Sequence, residues 1–343
     1  MLTDAVYVLP LRRSQVDADD VAELAAYLAR VATVLPVVVA DGSPPAVRAA
    51  HAVAWGSRAH VVPVPPPLPG TNGKVVGVLA GLAATTAERV VVADDDVRYD
   101  GAALARAVAL LDDADVVVPQ NVYDALPWHA RWDTGRALLN RAFGGDFPGT
   151  LTLRRSALGP DGYDARVLFE NLELMRTVQA RGGSVRRPLD LYVPRRPPTL
   201  RKFTEQRVRQ AYDSFAQPGR LAVELALLPL AAGAAAAARG RGPARGAGAW
   251  APAALVLAAV GLAEGGRRRA GGSAHFPPTA ALWAPLWLAE RAVCSWAALA
   301  WRCRGGVPYA GTRLRTAAHS ARALRRRAGG RTPLGTHGEQ EAA

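Results

Sequence analysis

The sequence predicts an α/β fold: a mostly parallel sheet with helices on both faces, followed by an α-helical membrane region. Three observations lead to this fold class. Short runs of β-branched and apolar residues have the composition of strands buried on both faces. These runs alternate with segments whose apolar residues recur at helical spacing. Long apolar stretches with arginine flanks appear only after residue 218.

In the first part of the chain, predicted strands and helices alternate regularly. The predicted strands are residues 5–10, 35–40, 60–64, 89–93 and 114–119. The predicted helices are residues 17–34, 46–55, 75–85 and 101–111. Such a β-α-β-α order is typical of a parallel sheet covered by helices.

From residue 121 the pattern is less regular. Residues 121–150, which include Trp128, Trp132 and a glycine-rich loop, are expected to form an irregular, site-forming region. Further strands are predicted at 150–154 and 184–193, a helix at 169–181 that stops at two glycines, and a basic helix at 203–215.

Three apolar stretches follow, at residues 221–238, 250–262 and 280–301. The first and third approach the roughly 20 residues that a bilayer-crossing helix needs, and the second is short. Arginines flank each stretch, and they cannot all be cytoplasmic if all three stretches cross. One stretch is therefore expected to be interfacial or re-entrant. Buried core helices of a soluble domain are the alternative.

We expect three parts in the chain. Residues 1–218 would form a cytoplasmic α/β domain, residues 219–303 membrane-associated helices, and residues 304–343 a basic, partly disordered tail. Within that tail, residues 313–331 are predicted to form a basic surface helix and residues 332–343 to be disordered.

The charge is distributed unevenly. The formal net charge is +13, yet residues 1–218 hold 25 basic and 24 acidic side chains, whereas residues 219–343 hold 17 and 5. A nucleic-acid enzyme would carry its excess on the folded domain, so no nucleic-acid partner is expected. Basic flanks beside apolar stretches favour anionic membrane lipids. The first residues show no signal-peptide pattern, so we expect the first domain to stay in the cytoplasm. The apolar stretches lead us to expect the protein at the cell membrane.

Three adjacent carboxylates, Asp94, Asp95 and Asp96, follow the strand at 89–93. Ligands of open α/β sheets bind beyond the carboxyl ends of the strands. Two acids separated by one residue at such a site can hold a divalent cation, and that cation can neutralise a diphosphate. The alternative is that these residues only form a turn and cap a helix.

Over residues 4–215 the chain resembles the inverting family 2 glycosyltransferases, which have the GT-A fold. The likeness rests on five short segments in the family's order. They are Val8-Leu9-Pro10, Asp41-Gly42-Ser43, Asn72-Gly73-Lys74, Asp94-Asp95-Asp96 and Glu205-Gln206-Arg207-Val208-Arg209. Membrane-bound members commonly continue into apolar helices, as this chain does.

The resemblance implies a role for each of these segments. Pro10, Asp41, Lys74, Asp94, Asp95 and Gln206 would bind a nucleotide-sugar donor. Asp94 and Asp96 would hold Mg²⁺ or Mn²⁺, which would stabilise the diphosphate leaving group. Arg207 and Arg209, taken as one face of a helix that borders the site, would add positive charge. The acceptor would be a lipid or another molecule delivered at the membrane, because the basic helix runs straight into the first apolar stretch.

The chain departs from the family pattern at two places. The family has Glu-Asp at the start of the catalytic helix, whereas this chain has Glu170-Asn171. An amide cannot act as a base at neutral pH, so Glu170 is the candidate base. Asp146 and Glu173 are the alternative candidates. The chain has Gln210-Ala211 where the family has tryptophan, which weakens any case for processive polymer synthesis.

Two other functions are compatible with these residues. Since Asn171 removes the usual base, the protein could bind a nucleotide sugar at the membrane without catalysis. A nucleotidyltransferase would share the fold and the metal acids, but it would need a basic, glycine-rich triphosphate loop after the first strand. Residues 9–13 are a poor version of such a loop.

Overall fold

The structure is a computed structural model that describes residues 4–240 and 243–329. Its strands are β1 (Ala5–Leu11), β2 (Val37–Asp41), β3 (His60–Pro63), β4 (Arg89–Ala93), β5 (Val116–Val117), β6 (Gln120–Tyr123), β7 (Thr150–Arg154), β8 (Val185–Arg186), β9 (Tyr192–Arg195), β10 (Val307–Tyr309) and β11 (Thr312–Leu314). The main sheet has seven strands in the order β3-β2-β1-β4-β7-β5-β8. Four of its strand pairs are parallel, and only β7 runs antiparallel to its neighbours β4 and β5. The predicted α/β fold with a mostly parallel sheet is confirmed.

Twelve α-helices surround and extend this sheet in the described residues. They are α1 (Ala18–Ala32), α2 (Pro45–Trp55), α3 (Gly73–Ala83), α4 (Gly101–Ala109), α5 (Trp128–Ala142), α6 (Arg155–Leu158), α7 (Glu170–Ala180), α8 (Leu200–Tyr212), α9 (Pro218–Arg239), α10 (Pro243–Arg268), α11 (Ala284–Cys303) and α12 (Ala321–Gly329).

The sheet is buried on both faces because alternate side chains of each strand point to opposite sides. Val6 and Val8 of β1 belong to a core shared with α3 and α7. Tyr7 and Leu9 of the same strand belong to a second core with α1, α2 and α4. This two-sided burial explains why the strands are continuous apolar runs.

Two of the predicted elements differ in the structure. The region 121–150 was expected to be irregular but contains the 15-residue helix α5. The buried face of α5 includes His129, Asp133, Thr134 and Arg141, so its helical period is not apolar and escapes a hydrophobicity pattern. The predicted strand at 184–193 is instead two short strands, β8 and β9, which belong to different sheets.

Two helices, at Pro218–Arg239 and Gly248–Ala274, are long and apolar enough to cross a membrane by length and composition. They pack against each other as α9 and the main part of α10. The second apolar stretch is therefore longer than the sequence indicated. The third, α11, does not meet the same criteria of length and apolar composition among the described residues. One side of it packs on α5, α8 and α9. That side buries Arg291 and Ser295.

Close contacts fix these helices to the α/β domain. A Cβ on Gly266 of α10 would lie 2.0 Å from Leu138 O of α5, and a Cβ on Gly135 would lie 2.8 Å from Ala284 N at the start of α11. Arg141 of α5 is fully buried and donates to the carbonyl oxygens of Gly266 and Arg269 at 3.1 and 2.7 Å. The apolar helices are thus docked on α5 rather than joined to it by a linker.

After α11 the described chain forms regular secondary structure where a basic tail was predicted. β10 and β11 form an antiparallel hairpin, and α12 packs on α7. The predicted basic helix at 313–331 is therefore shorter, because the structure places the second strand of the hairpin at its start. The predicted disorder of residues 332–343 lies outside the described residues.

Candidate active site

A cavity of about 270 Å³ opens at the carboxyl end of β4. This is the edge where open α/β sheets bind ligands. Its wall combines the start of α3, the acids after β4, the start of α7, one face of α8 and the C-terminal hairpin. The lining residues are Asn72, Lys74, Asp94, Asp95, Asp96, Leu168, Glu170, Arg195, Lys202, Gln206, Arg209 and Tyr309.

Lys74 links the acids after β4 to the start of α7. Its Nζ lies 2.6 Å from Asp94 Oδ1 and 2.9 Å from Glu170 Oε1. Burial alone would lower the pKa of Lys74, but the two carboxylates outweigh burial and raise this pKa well above its ordinary value. Asn72 caps α3 by accepting a hydrogen bond from Lys74 N, which holds the lysine at the cavity edge.

The three acids after β4 have different partners. Burial raises the pKa of Asp94 to about 6, with Lys74 opposing this rise and Asp96 adding to it. Asp95 forms an ion pair with Arg13. Burial would raise the pKa of Asp95, but Arg13 and Lys202 lower it below its usual value. Asp96 Oδ2 lies 2.5 Å from Arg195 Nη2.

The residues present fit a divalent cation in part. Asp96 Oδ1 is buried without a hydrogen-bond partner among the described residues, and Asp96 lines the same cavity as Asp94. Hard cations such as Mg²⁺ take oxygen ligands. No group of three or more His, Cys, Asp or Glu side chains suited to a metal occurs among the described residues. Donor phosphates and water would have to complete the coordination of an ion on Asp94 and Asp96.

One face of α8 forms the basic side of the cavity. Lys202, Gln206 and Arg209 are spaced four and three residues apart, so they share that face. The chain has 42 basic side chains but only two lysines, and the structure brings both lysines, Lys74 and Lys202, into this cavity. A lysine presents a compact point charge where an arginine presents a planar fork.

Arg207 does not line the cavity with Arg209, so the prediction that both arginines lie on one face of α8 is wrong. Arg207 is 8% exposed, and its Nη1 lies 3.3 Å from Asp133 Oδ1 and 3.4 Å from Glu290 Oε2. It therefore joins α8 to α5 and α11. Residues two apart on a helix point about 200° apart around its axis, so these two arginines cannot face one site.

Asp146, an alternative candidate for the base, also lies outside the cavity lining. Its carboxylate is buried, with Oδ1 2.5 Å from Arg136 Nη1 and 2.7 Å from Asn140 Nδ2. Glu173, the other alternative candidate for the base, is fully buried. It accepts hydrogen bonds from the backbone and the ring of His319. Both acids are held by structural partners, which leaves Glu170 as the carboxylate of this group that lines the cavity.

Asp41 and Pro10 lie at the ends of β2 and β1, beside the cavity rather than in its lining. Asp41 is fully buried, with Oδ1 accepting from Ser43 N and Oδ2 2.7 Å from His51 Nδ1. A direct hydrogen bond from Asp41 to a nucleotide base would compete with these contacts. β1 continues through Pro10 because its pairing with β4 ends at Val8, so no ladder hydrogen bond is lost on that side.

The structure gives Asn171 a local role. Its Nδ2 donates to Pro148 O at 2.6 Å, which ties the start of α7 to the loop before β7. An ionised aspartate at this position could not donate, and it would face the carbonyl oxygen instead. The departure from the family pattern therefore coincides with a contact that needs an amide.

The sequence analysis gave no role to four of the lining residues, Leu168, Arg195, Lys202 and Tyr309. Lys202 carried a usable signal, since it is one of two lysines in an arginine-rich chain. Arg195 and Tyr309 carried none, because β9 and the hairpin reach the cavity only through tertiary packing.

No model of a protein family and no curated protein matches this chain. A mannosyltransferase from Pyrobaculum calidifontis, solved with GDP-Man and Mn²⁺, superposes with a TM-score of 0.54 at 21% identity, covering 85% of this chain and 87% of that one. The fold is GT-A. The coverage exceeds what residues 1–218 could supply, so the likeness reaches into the C-terminal helices.

A second GT-A structure is more distant. TarS from S. aureus, solved with UDP-GlcNAc, superposes with a TM-score of 0.39 at 14% identity, covering 60% of this chain and 65% of that one. At that score it adds nothing to the assignment of the fold.

Proposed function

We propose that this protein is an inverting, metal-dependent family 2 glycosyltransferase that moves a sugar from a nucleoside-diphosphate donor to an acceptor hydroxyl. The observation that carries this proposal is the meeting of Glu170 with Asp94 and Asp96 in one cavity of a GT-A fold. The GDP-Man and Mn²⁺ in the Pyrobaculum calidifontis structure support a nucleotide-sugar donor and a divalent cation.

In this proposal the donor diphosphate lies between the acids after β4 and the basic face of α8. Asp94 and Asp96 would hold Mg²⁺ or Mn²⁺, which supplies Lewis-acid stabilisation to the leaving diphosphate. Arg209 and Lys202 face the same space from α8 and provide fixed positive charge where negative charge develops. Gln206 stands between them and can hydrogen-bond the donor.

Glu170 is the proposed general base. Among the described residues that line the cavity, it is the one carboxylate outside the run Asp94–Asp96. It would accept the proton of the acceptor hydroxyl, whose oxygen then attacks the anomeric carbon as the diphosphate leaves. A single displacement of this kind inverts the anomeric configuration. Lys74, 2.9 Å from Glu170 Oε1, fixes the direction of the carboxylate.

The alternative functions receive less support. A nucleotidyltransferase needs free cations after β1, but Arg13 is engaged by Asp20 at 2.8 Å and by Asp95. A donor-binding protein without catalysis was considered because of Asn171, yet Glu170 supplies a carboxylate in the cavity.

The test is transfer of sugar by purified protein in detergent with Mn²⁺, on UDP-, GDP- and dTDP-sugars, with a lipid extract as acceptor. Asp96→Ala and Glu170→Gln are the test variants. We expect Glu170→Gln to lower turnover roughly 10²- to 10⁴-fold, the usual contribution of a general base. Asp190→Asn and Asp112→Asn, which alter ion pairs of exposed carboxylates outside the cavity, are the controls and should keep wild-type turnover.

Each outcome distinguishes the candidate functions. Loss of turnover in both test variants, with active controls, supports the transferase. Metal-dependent binding of a nucleoside diphosphate without turnover on any donor would favour the binding protein. Turnover that survives Glu170→Gln would remove this residue from its proposed role.

We also propose that α9 and α10 insert in the cell membrane as a helical hairpin. At about 1.5 Å per residue they are about 33 and 39 Å long, enough for a hydrocarbon core of about 30 Å. Their exposed apolar side chains include Leu230 and Leu257, 68% and 72% exposed. Since α9 starts directly after the catalytic domain and the C-terminal end of α10 packs on α5, the described residues before α9 and after α10 would lie on one side, the cytoplasm.

In this arrangement α11 would lie at the membrane surface. Its exposed side carries Val293 and Trp296, whereas the opposite side is buried against the α/β domain. Arginines at the ends of α10 and α11 would contact anionic lipid headgroups. We therefore propose the boundaries 1–218 for the catalytic domain and 219–303 for the membrane-associated helices, and a lipid or membrane-delivered acceptor.

A further inference from the structure

The chain after α11 folds back over the cavity. Gly70 N, in the loop before α3, donates to Thr312 Oγ1 of the C-terminal hairpin at 3.3 Å. At the end of β10, Tyr309 is part of the cavity lining. A segment far from Glu170 in the sequence thus contributes to the wall of the candidate active site.

Tyr309 contacts Asn72, which lies at the centre of a hydrogen-bond network. Asn72 is 2% exposed, and its Oδ1 accepts from Lys74 N at 3.0 Å and from the Tyr309 hydroxyl at 2.8 Å. Its Nδ2 donates to the carbonyl oxygens at positions 167 and 168, at 3.2 and 3.3 Å. One side chain therefore joins Lys74 to the residues directly before α7, and Tyr309 holds that side chain in place.

The residues directly after the hairpin also hold the backbone before Glu170. Leu168 N donates to Thr316 O at 3.0 Å, and Phe169 N donates to Ala317 O at 2.8 Å. Glu170 is the next residue and begins α7. The orientation of the proposed base relative to Lys74 depends on these contacts together.

The ring of Tyr309 has a second neighbour in the cavity. The guanidinium carbon of Arg209 lies 4.9 Å from the ring centroid, within the range of a cation–π contact. Arg209 Nε is buried without a hydrogen-bond partner among the described residues. Among the described residues, the Tyr309 ring is therefore the contact that holds the Arg209 guanidinium at the cavity.

We propose that Tyr309 is a positioning residue of the active site, which aligns the Lys74–Glu170 pair through Asn72 and supports Arg209 through its ring. This inference rests on the proposed transferase function for its kinetic consequences. It assigns the hairpin after the membrane-associated helices to the catalytic apparatus. The hydroxyl and the ring have separate roles, so different substitutions distinguish them.

Tyr309→Phe removes the hydroxyl and keeps the ring. We expect kcat to fall about threefold to tenfold, as for one lost hydrogen bond, while the KM of the donor changes less than twofold. Tyr309→Ala also removes the support of Arg209, so the KM of the donor should rise as well. Tyr192→Phe is the matched control, because the Tyr192 hydroxyl donates to Ala270 O at 2.8 Å, outside the cavity.

A second readout does not depend on turnover. The chain has two lysines, so amine acetylation of the metal-free protein can be measured by mass spectrometry at Lys74 with Lys202 as internal reference. The Lys74 side chain is 20% exposed and lies between two carboxylates, which protects it. If Tyr309 aligns this pair, Tyr309→Phe should raise the ratio of Lys74 to Lys202 labelling at least threefold. Tyr192→Phe should leave the ratio unchanged.

The two readouts separate failure of this inference from failure of the proposed function. A raised labelling ratio with lower kcat supports the positioning role. An unchanged ratio in Tyr309→Phe overturns it, whatever the activity. If the wild-type protein transfers no sugar, the transferase proposal fails and the labelling ratio alone decides the role of Tyr309.

Discussion

Arg207 and Arg209 of α8 were predicted to act together, but their substitution should affect different properties of the protein. Arg207 lies between Asp133 and Glu290, with side-chain exposures of 10%, 4% and 6%. Arg209 lines the cavity and contacts the Tyr309 ring. We therefore expect Arg207→Ala to lower stability and Arg209→Ala to lower transfer.

The contacts set the size of each effect. Removing one partner of a buried ion pair costs about 3–5 kcal/mol. Asp133 would keep Arg136 and Glu290 would keep Arg291, so the lower end, about 3 kcal/mol, applies to Arg207→Ala. At about 2.1 cal/mol/K of unfolding entropy per residue, that corresponds to a fall in Tm of roughly 4 °C for 343 residues. Arg209→Ala should change Tm by less than about 2 °C, since the cation–π contact of this half-buried arginine contributes on the order of 1 kcal/mol.

Thermal unfolding and sugar transfer would be measured for both variants in the same detergent. Losing one fixed charge beside a developing diphosphate should lower kcat/KM roughly 10²-fold in Arg209→Ala. Arg207→Ala should retain most of its kcat/KM at 20 °C, below its unfolding range. Equal losses of stability, or equal losses of transfer, in the two variants would refute the separation of their roles.

Three further outcomes follow from single contacts. Asn171→Asp should not raise activity, and it should destabilise the protein by about 1–3 kcal/mol, measured by urea unfolding, because the hydrogen bond to Pro148 O is lost; higher turnover would contradict this. Burial raises the pKa of Asp213 to about 8, so the folded protein keeps a proton that the unfolded chain releases above about pH 4, and stability should fall as pH rises from 4 to 8. Asp213→Asn should remove that dependence and raise Tm at pH 9, with little change below about pH 4. Leu230→Arg and Leu257→Arg should each lower the membrane-bound fraction in flotation assays, because an arginine at the bilayer centre costs about 2.5–3.5 kcal/mol; unchanged flotation would argue against insertion of α9 and α10.

The buried strands and the polar residues that follow them could be predicted from the sequence, because both depend on residues close together in the chain. The buried strands of a parallel sheet are apolar runs, and the acids after β4 must lie where that strand leaves the sheet. The cap that Asn72 gives α3 and the place of Glu170 at the start of α7 are equally local. These local features locate much of the cavity.

Tertiary packing decided which polar side chains face that cavity. Arg207 and Arg209 have the same chemistry, and only the packing of α8 on α5 and α11 turns Arg207 inward. Asp146 is an acid in a glycine-rich loop by sequence, and the fold pairs it with Arg136. A carboxylate or guanidinium has the same composition in a core ion pair and in an active site, so pattern alone cannot separate the two.

The sequence by itself determined the α/β fold class, the cluster of acids after β4 and the presence of long apolar segments, because each depends on residues adjacent in the chain or one helical turn apart. The docking of α11 on the α/β domain and the contact of Tyr309 with Asn72 appear only in the tertiary structure. Such contacts join residues that are distant in the chain, 237 positions apart for Tyr309 and Asn72. Their energy comes from burial and hydrogen bonds formed only when the whole chain is packed.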